Sequence, residues 1–174
     1  VQSWPSLAGD ADSHPVFLLG LPRSGSTLLD LMLDGHEKLQ VLSETDALEQ
    51  LVEQSETLTG QPYPACLAAL TTEQIRSLQL QYFDRAEQHL SRQSGGRLAG
   101  TRLVDKNPLN LLRLPLIHRL FPGAPLIITE RDLHDAALSC FLNDLGGRGE
   151  QGFWSLDESC LLYTSPSPRD LSTS

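Results

Sequence analysis

A glycine-rich turn at residues 20–27 combines one arginine with several hydroxyl side chains, and these residue types suit the binding of an anion. The apolar residues 16–19 before the turn predict a buried strand, and the residues 26–33 after it carry apolar side chains at helical spacing. A turn from a strand into a helix presents backbone N–H groups at the positive end of the helix dipole. The turn is therefore predicted to bind a phosphate-sized group through its backbone and three hydroxyls: Ser24, Ser26 and Thr27.

The cation of this turn distinguishes it from a nucleoside triphosphatase loop. Gly20 and Gly25 have the Walker spacing, but Ser26 stands where the Walker pattern has lysine. Arg23 supplies a guanidinium fork inside the loop instead, so a metal-bound triphosphate is not implied. A strand-to-helix turn with glycines for geometry alone remains the alternative at this point.

Two further charged residues follow predicted strands. Residues 39–42 predict a second strand, and Glu44 lies between it and a helix predicted at 47–52, where a carboxylate can act as a general base. Lys106 follows a third strand predicted at 101–104 and can neutralise charge on a transferring group. The alternatives are helix-start chemistry for Glu44, with Ser43 as the cap, and a solvated turn position for Lys106.

A fourth strand, predicted at residues 124–129, leads to Arg131. Asp132 can cap a helix that continues to Asp144, and Ser139 lies about two helical turns after Arg131. Both side chains can then face one anion. The alternative is a surface arginine and a serine packed within a helix.

The alternation of strands and helices predicts an α/β fold with a parallel sheet, in which ligands bind beyond the carboxyl ends of the strands. Four charged side chains share this position in the pattern: Arg23, Glu44, Lys106 and Arg131. Their common placement favours a functional site. Helices predicted at residues 63–70 and 72–93, the second opening with a capping box from Thr71 to Gln74, are interpreted as a packing subdomain or lid.

Composition limits the function classes. The 174 residues suit one domain or most of a larger one, and a formal net charge of −9 argues against a general nucleic-acid or anionic-membrane surface. The sequence contains no apolar run of membrane-spanning length and no signal-peptide pattern, which predicts a cytoplasmic protein. The three cysteines and five histidines lack metal-ligand spacing, so we expect no metal and reduced cysteine thiols: Cys66, Cys140 and Cys160.

Four parts of the sequence together resemble sulfotransferases that use 3′-phosphoadenosine 5′-phosphosulfate (PAPS). In order, they are Gly20-Leu21-Pro22-Arg23-Ser24-Gly25-Ser26-Thr27, Glu44, Asp105-Lys106-Asn107-Pro108-Leu109-Asn110, and Arg131 through Ser139. The resemblance runs from about Val16 to Leu145. It is stronger toward bacterial-type sulfotransferases that follow tetratricopeptide repeats than toward tyrosylprotein sulfotransferases. It implies a P-loop-like three-layer fold with a parallel sheet, truncated at its C-terminal side.

The resemblance also implies residue roles. Glu44 aligns with the position of the family's catalytic base, and Lys106 with the position of its catalytic lysine. Arg23 would help to neutralise charge at the reacting end of the donor. The loop residues Arg23, Ser24, Gly25, Ser26 and Thr27 would hold the 5′-phosphosulfate, and Arg131 and Ser139 would hold the 3′-phosphate. PAPS is then the co-substrate, without a metal, and the acceptor is an unidentified hydroxyl or amine. A degenerate P-loop kinase or nucleoside triphosphatase, and a noncatalytic nucleotide-binding module, are the alternatives.

The predicted domain organisation has three parts. Residues 1–15 are interpreted as a linker or the end of a missing upstream region. Residues 16–158 are interpreted as a partial sulfotransferase domain, and the fragment is therefore expected to be an incomplete enzyme. Residues 159–174 are interpreted as a tail foreign to the natural protein, because the segment from Cys160 to Ser174 resembles a translated library adapter and has no hydrophobic periodicity.

Overall fold

A computed structural model describes residues 14–93 and 100–142. The chain divides into two compact units, residues 1–20 with 26–128 and residues 21–25 with 129–174. Most of the predicted linker and all of the predicted tail lie outside the described residues. None of the described helices is both long enough and apolar enough to cross a bilayer.

The described strands form one sheet in the order β2-β3-β1-β4, and β3 pairs in parallel with both β1 and β2. This arrangement of a parallel sheet with helices confirms the predicted α/β, P-loop-like class. The strands are β1 (Val16–Gly20), β2 (Leu39–Ser43), β3 (Arg102–Lys106) and β4 (Leu126–Thr129). The helices are α1 (Ser26–Asp34), α2 (Ala47–Thr59), α3 (Cys66–Ala69), α4 (Thr72–Gln93), a 3-10 helix (Pro108–Arg113), α5 (Leu114–Leu120) and, in the second unit, α6 (Leu133–Leu142).

The register of the sheet aligns the strand ends that carry the predicted catalytic residues. Lys106, the last residue of β3, pairs with Leu18 of β1 and with Ser43, the last residue of β2. The backbone N–H of Glu44 then donates to the Lys106 carbonyl at 2.8 Å. Parallel pairing therefore places Glu44 directly beside Lys106 although 62 residues separate them in sequence.

The side chains of β3 alternate between two apolar clusters of the first unit, as a strand with both faces covered requires. Leu103 belongs to the larger cluster, which includes residues of α2, α3, α4 and α5, and Val104 belongs to a smaller one against which Leu29 and Leu33 of α1 pack. The next two side chains continue the alternation. Asp105 meets Tyr82 of α4, and Lys106 meets the first turns of α1.

Several element boundaries differ from the sequence predictions. β3 continues through Lys106 instead of ending at Val104, so Lys106 is the end of the strand itself. The sequence from Leu109 to Phe121 predicts a single helix, but the structure has a 3-10 helix followed by α5. Pro115 lies in the first turn of α5, where proline needs no N–H partner. The capping box of α4 is confirmed by reciprocal hydrogen bonds between Thr71 and Gln74.

Candidate functional site

Lys106 is the centre of a charged cluster in the first unit. Its side chain is only 1% exposed, and its ammonium Nζ donates to the Glu44 carboxylate and, at 3.3 Å, to the Thr27 hydroxyl. The carboxylate of Asp30 lies 3.8 Å from Nζ. A buried ammonium is costly unless it is paired and hydrogen-bonded, and these three groups supply the pairing. The solvated-turn interpretation of Lys106 is therefore wrong.

Glu44 combines an unusual backbone with an accessible carboxylate. Its φ of +52° lies in the left-handed region, where a residue with a Cβ is strained by roughly 1–2 kcal/mol. Its side chain is 61% exposed, although one carboxylate oxygen contacts Lys106. The alternative in which Ser43 caps the helix is also wrong, because Asp46 is the N-cap residue of α2 and the Ser43 hydroxyl donates to Asp30 at 2.8 Å. Glu44 thus keeps most of its side chain exposed to solvent while Lys106 holds one of its carboxylate oxygens.

Asp30 is the member of this cluster that sequence reasoning missed. It is 7% exposed, and one carboxylate oxygen accepts from Ser43 and lies near Lys106. The available signal was an acid among leucines in a helix, one turn after Thr27. Such an acid in an apolar stretch needs a buried partner, but the sequence alone did not identify Lys106 as that partner.

Asn107 joins the segments that follow the two catalytic candidates. Its amide Nδ2 donates to the Thr45 carbonyl at 2.8 Å, and its Oδ1 accepts from the Leu109 N–H at 3.0 Å, capping the 3-10 helix. The residue after Glu44 and the residue after Lys106 are thereby connected. These bonds restrict the two strand ends to one relative position.

A buried polar network lies on the other face of β3. Tyr82 donates its hydroxyl proton to Asp105 Oδ2 at 2.7 Å, and Asn110 Nδ2 donates to Asp105 Oδ1 at 3.1 Å. Burial raises the pKa of Asp105 to about 6, while the two hydrogen bonds act to lower it. Burial, followed by the nearby Asp105 carboxylate, also raises the pKa of Tyr82. The network anchors the strand position immediately before Lys106.

The second unit brings together the two predicted arginines and the predicted serine. Arg23 Nε donates to Ser139 Oγ at 3.0 Å, and Arg131 Nη1 donates to the Arg23 carbonyl at 3.2 Å. Ser24 and Thr129 share a hydroxyl–hydroxyl hydrogen bond of 2.7 Å. The loop arginine and the two residues predicted for a 3′-phosphate therefore form one cluster of hydrogen-bond donors.

The loop backbone in this unit is bent by residues in the left-handed region. Gly25 has a φ of +98°, which glycine adopts without steric cost, whereas Arg23 has a φ of +66°. Arg23 and Glu44 are the two non-glycine residues with positive φ in the described ranges. Strained backbone of this kind concentrates at functional positions, so its occurrence at two sequence-predicted site residues favours a site.

The start of α6 confirms the predicted cap. Asp132 Oδ1 accepts from the backbone N–H groups of His134 at 3.0 Å and of Asp135 at 3.2 Å. These hydrogen bonds, that from Asp135 first, lower the pKa of Asp132. The cap fixes the helix that carries Ser139 directly after Arg131.

Other predicted donor residues are divided between the units. Ser26 is buried at the start of α1 and belongs with Thr27 to the first unit, whereas Arg23, Ser24 and Gly25 belong to the second. Within residues 14–93 and 100–142, no three His, Cys, Asp or Glu side chains are grouped as metal ligands.

Comparison with known proteins adds independent information. A family model described as "Sulfotransferase family" matches residues 15–162. An uncharacterised protein of Aquifex aeolicus is 27% identical over 152 residues, which cover 83% of this chain and 19% of that protein. A Caenorhabditis briggsae protein named "Putative protein-tyrosine sulfotransferase" is 29% identical over 127 residues, which cover 67% of this chain and 39% of that protein. The chain thus spans well under half the length of either relative.

Proposed function

Because the chain belongs to the sulfotransferase family, we propose that it transfers a sulfuryl group from PAPS to a hydroxyl or amine of an acceptor. The observation that carries this proposal is the contact of the buried Lys106 ammonium with the Glu44 carboxylate and the Thr27 hydroxyl. This arrangement combines a general base, a fixed positive charge and a loop hydroxyl in the first unit.

Glu44 acts as the general base in this proposal. Its exposed carboxylate accepts the proton of the acceptor hydroxyl while the acceptor oxygen forms a bond to sulfur. The bond between sulfur and the bridging phosphate oxygen breaks, and adenosine 3′,5′-bisphosphate leaves. Lys106 neutralises the charge that develops on the leaving oxygen, and Thr27 donates a hydrogen bond beside it. Asp30 of α1 positions the lysine, and the Ser43 hydroxyl at the end of β2 holds Asp30.

The donor cluster of the second unit is proposed to recognise the nucleotide phosphates. Arg131 and Ser139 bind the 3′-phosphate, because a guanidinium and a hydroxyl both form strong hydrogen bonds to phosphate oxygens. Arg23 lies in the anion loop and already contacts both residues, so it supplies positive charge at the donor. The Ser24 hydroxyl and the backbone N–H groups of Ser24 and Gly25 complete the proposed loop contacts to the 5′-phosphosulfate. The donor types present therefore fit a nucleotide with two separate phosphate positions.

Release of adenosine 3′,5′-bisphosphate from PAPS tests this proposal, with a phenol and an aromatic amine as trial acceptors. Glu44→Gln is expected to lower turnover by roughly 10²–10⁴-fold with little change in bisphosphate affinity, because it removes the base but keeps the size of the side chain. Glu53→Gln, an exposed substitution on α2, is the matched control and is expected to keep full turnover. Equal turnover of Glu44→Gln and the control would refute the role of Glu44, and absence of saturable binding of adenosine 3′,5′-bisphosphate to the wild-type chain would refute the proposed donor.

A further inference from the structure

A cavity of about 230 Å³ lies within the first unit, between the N-terminal turn of α2 and one face of α4. Its walls include Thr45, Asp46, Gln50, Arg85, His89 and Arg92. Whole drug-sized ligands need larger pockets, of roughly 300–1,000 Å³. The cavity therefore suits one substituent of a molecule, such as a carboxylate or a sulfate.

The cavity is connected to the proposed base through the chain itself. Thr45 lines the cavity and directly follows Glu44. Its carbonyl is held by Asn107, the neighbour of Lys106. The cavity wall therefore begins one residue along the chain from the proposed base.

The charge of the cavity walls is opposite to that of the chain as a whole, which carries a formal −9. Arg85, His89 and Arg92 are spaced by four and three residues along α4, so they lie on one face of the helix. The single carboxylate in the wall, Asp46, accepts from Gln50 Nε2 at 2.6 Å, and Gln50 Oε1 accepts from Arg85 Nη1 at 2.6 Å. Two guanidinium groups thus face one carboxylate.

Much of the hydrogen-bonding capacity of the walls is unused. Arg85 uses one of its five N–H donors in the hydrogen bond to Gln50. Thr45 Oγ1 and His89 Nε2 are buried side-chain atoms without a hydrogen-bond partner in the part of the chain that the structure describes. Buried polar atoms are normally paired, so two unpaired atoms in the wall of one basic cavity are available to form hydrogen bonds with a ligand.

We propose that this cavity binds an oxyanionic group, a carboxylate or sulfate, on the acceptor of the sulfuryl transfer. The guanidinium groups of Arg85 and Arg92 supply charge-assisted hydrogen bonds, and the Thr45 hydroxyl supplies a neutral one. The proposal rests on the proposed function, because the bound group belongs to the acceptor of that reaction. It assigns acceptor selection to α4, a helix that the sequence analysis interpreted as part of a packing subdomain or lid.

A titration with two probes of equal shape tests the proposal. The full chain is titrated with 4-hydroxyphenylacetate and, separately, with the neutral 4-hydroxyphenylacetamide, while NMR follows the arginine Nε–H groups and the histidine rings. The carboxylate is expected to cause saturable shifts at Arg85, His89 and Arg92 and to bind at least 10-fold more tightly than the amide. Absence of saturable shifts at these residues up to tens of millimolar, or equal binding of both probes, would overturn the proposal.

Substitution separates the cavity from other anion sites. Arg85→Gln and Arg92→Gln are each expected to reduce the preference for the carboxylate over the amide by roughly 5–20-fold. Arg76→Gln, an exposed position of α4 outside the cavity walls, is the matched control and is expected to keep the preference. A preference that survives both cavity substitutions would contradict the assignment.

The affinity for adenosine 3′,5′-bisphosphate is measured on the same samples. All three variants are expected to retain it within about twofold. If the wild-type chain fails to bind the bisphosphate but shows the carboxylate preference, the proposed function fails and the anion cavity remains. If the wild-type chain binds the bisphosphate without a carboxylate preference, the cavity assignment alone fails.

Discussion

Asp105→Asn is expected to change how the stability of the first unit depends on pH. Burial raises the pKa of Asp105 from its usual value near 4 to about 6, so the folded protein binds this proton more tightly than the unfolded chain does. The stability that protonation of Asp105 contributes is complete below the unfolded pKa. It is lost as pH rises through the folded pKa near 6. Asparagine has no such titration.

The size of the effect follows from the shift. A difference of about two pKa units corresponds to roughly 3 kcal/mol in total, of which about 2 kcal/mol falls between pH 4.5 and 7.5. The wild-type protein should therefore lose about 2 kcal/mol more than Asp105→Asn across this range. The amide can keep one hydrogen bond to Asn110 or Tyr82, so the variant carries an additional cost of about 1 kcal/mol at every pH.

Urea unfolding of both proteins at pH 4.5, 5.5, 6.5 and 7.5 measures this difference, since the other titrating groups contribute equally to the two curves. The stability difference between wild type and variant should decrease steadily as pH rises. Tyr82→Phe, which removes a hydrogen bond that lowers the pKa of Asp105, should move the transition to higher pH. A constant difference between wild type and Asp105→Asn over the whole range would refute the account of this buried carboxyl.

Three further expectations concern the charged residues. Glu44→Gly should be more stable than Glu44→Ala by about 1 kcal/mol in urea unfolding, because glycine tolerates the positive φ and both variants lack the carboxylate; equal stabilities would contradict the strained backbone. Asp30→Asn should lower the unfolding free energy by about 1–3 kcal/mol, because Lys106 loses one buried counter-charge. The exposed control Asp34→Asn should change the unfolding free energy by less than about 0.5 kcal/mol, and equal effects of the two substitutions would exclude the Asp30 ion pair. Arg131→Ala should weaken binding of adenosine 3′,5′-bisphosphate by about 1.5–3 kcal/mol in calorimetry and affect 5′-AMP much less, and equal losses for both nucleotides would reject the 3′-phosphate role.

The sequence predicted the parts of the fold that depend on local patterns. Apolar runs and hydrophobic periodicity located all four described strands and the long helix α4, and their alternation predicted the parallel sheet. The capping groups at Thr71 and Asp132 were identified because a cap depends on residues only two or three positions away. The ends of the strands were predicted less accurately than their positions. The pairing of β3 with β2 extends to Lys106, and such pairing is not local information.

The candidate site shows the same division. Residue type and position at strand ends predicted Glu44 and Lys106, and the structure brings them into contact. The burial of Lys106 and its pairing with Asp30 required the packing of α1 against the sheet, which sequence spacing does not encode. The basic cavity on α4 was missed for a related reason. Its arginines are far from Glu44 in sequence, and only the packing of α2 against α4 brings them to the same cavity as Thr45, the residue after Glu44.

Calorimetry with three nucleotides tests the central claim, the use of a donor with a 3′-phosphate, most directly. Adenosine 3′,5′-bisphosphate, 5′-AMP and ATP with magnesium are each titrated into the full chain at one salt concentration. The account predicts saturable one-to-one binding of the bisphosphate, at least 10-fold tighter than that of 5′-AMP and independent of magnesium. Binding of magnesium-ATP more tightly than the bisphosphate, or equal affinities for the bisphosphate and 5′-AMP, would contradict a PAPS-dependent sulfotransferase.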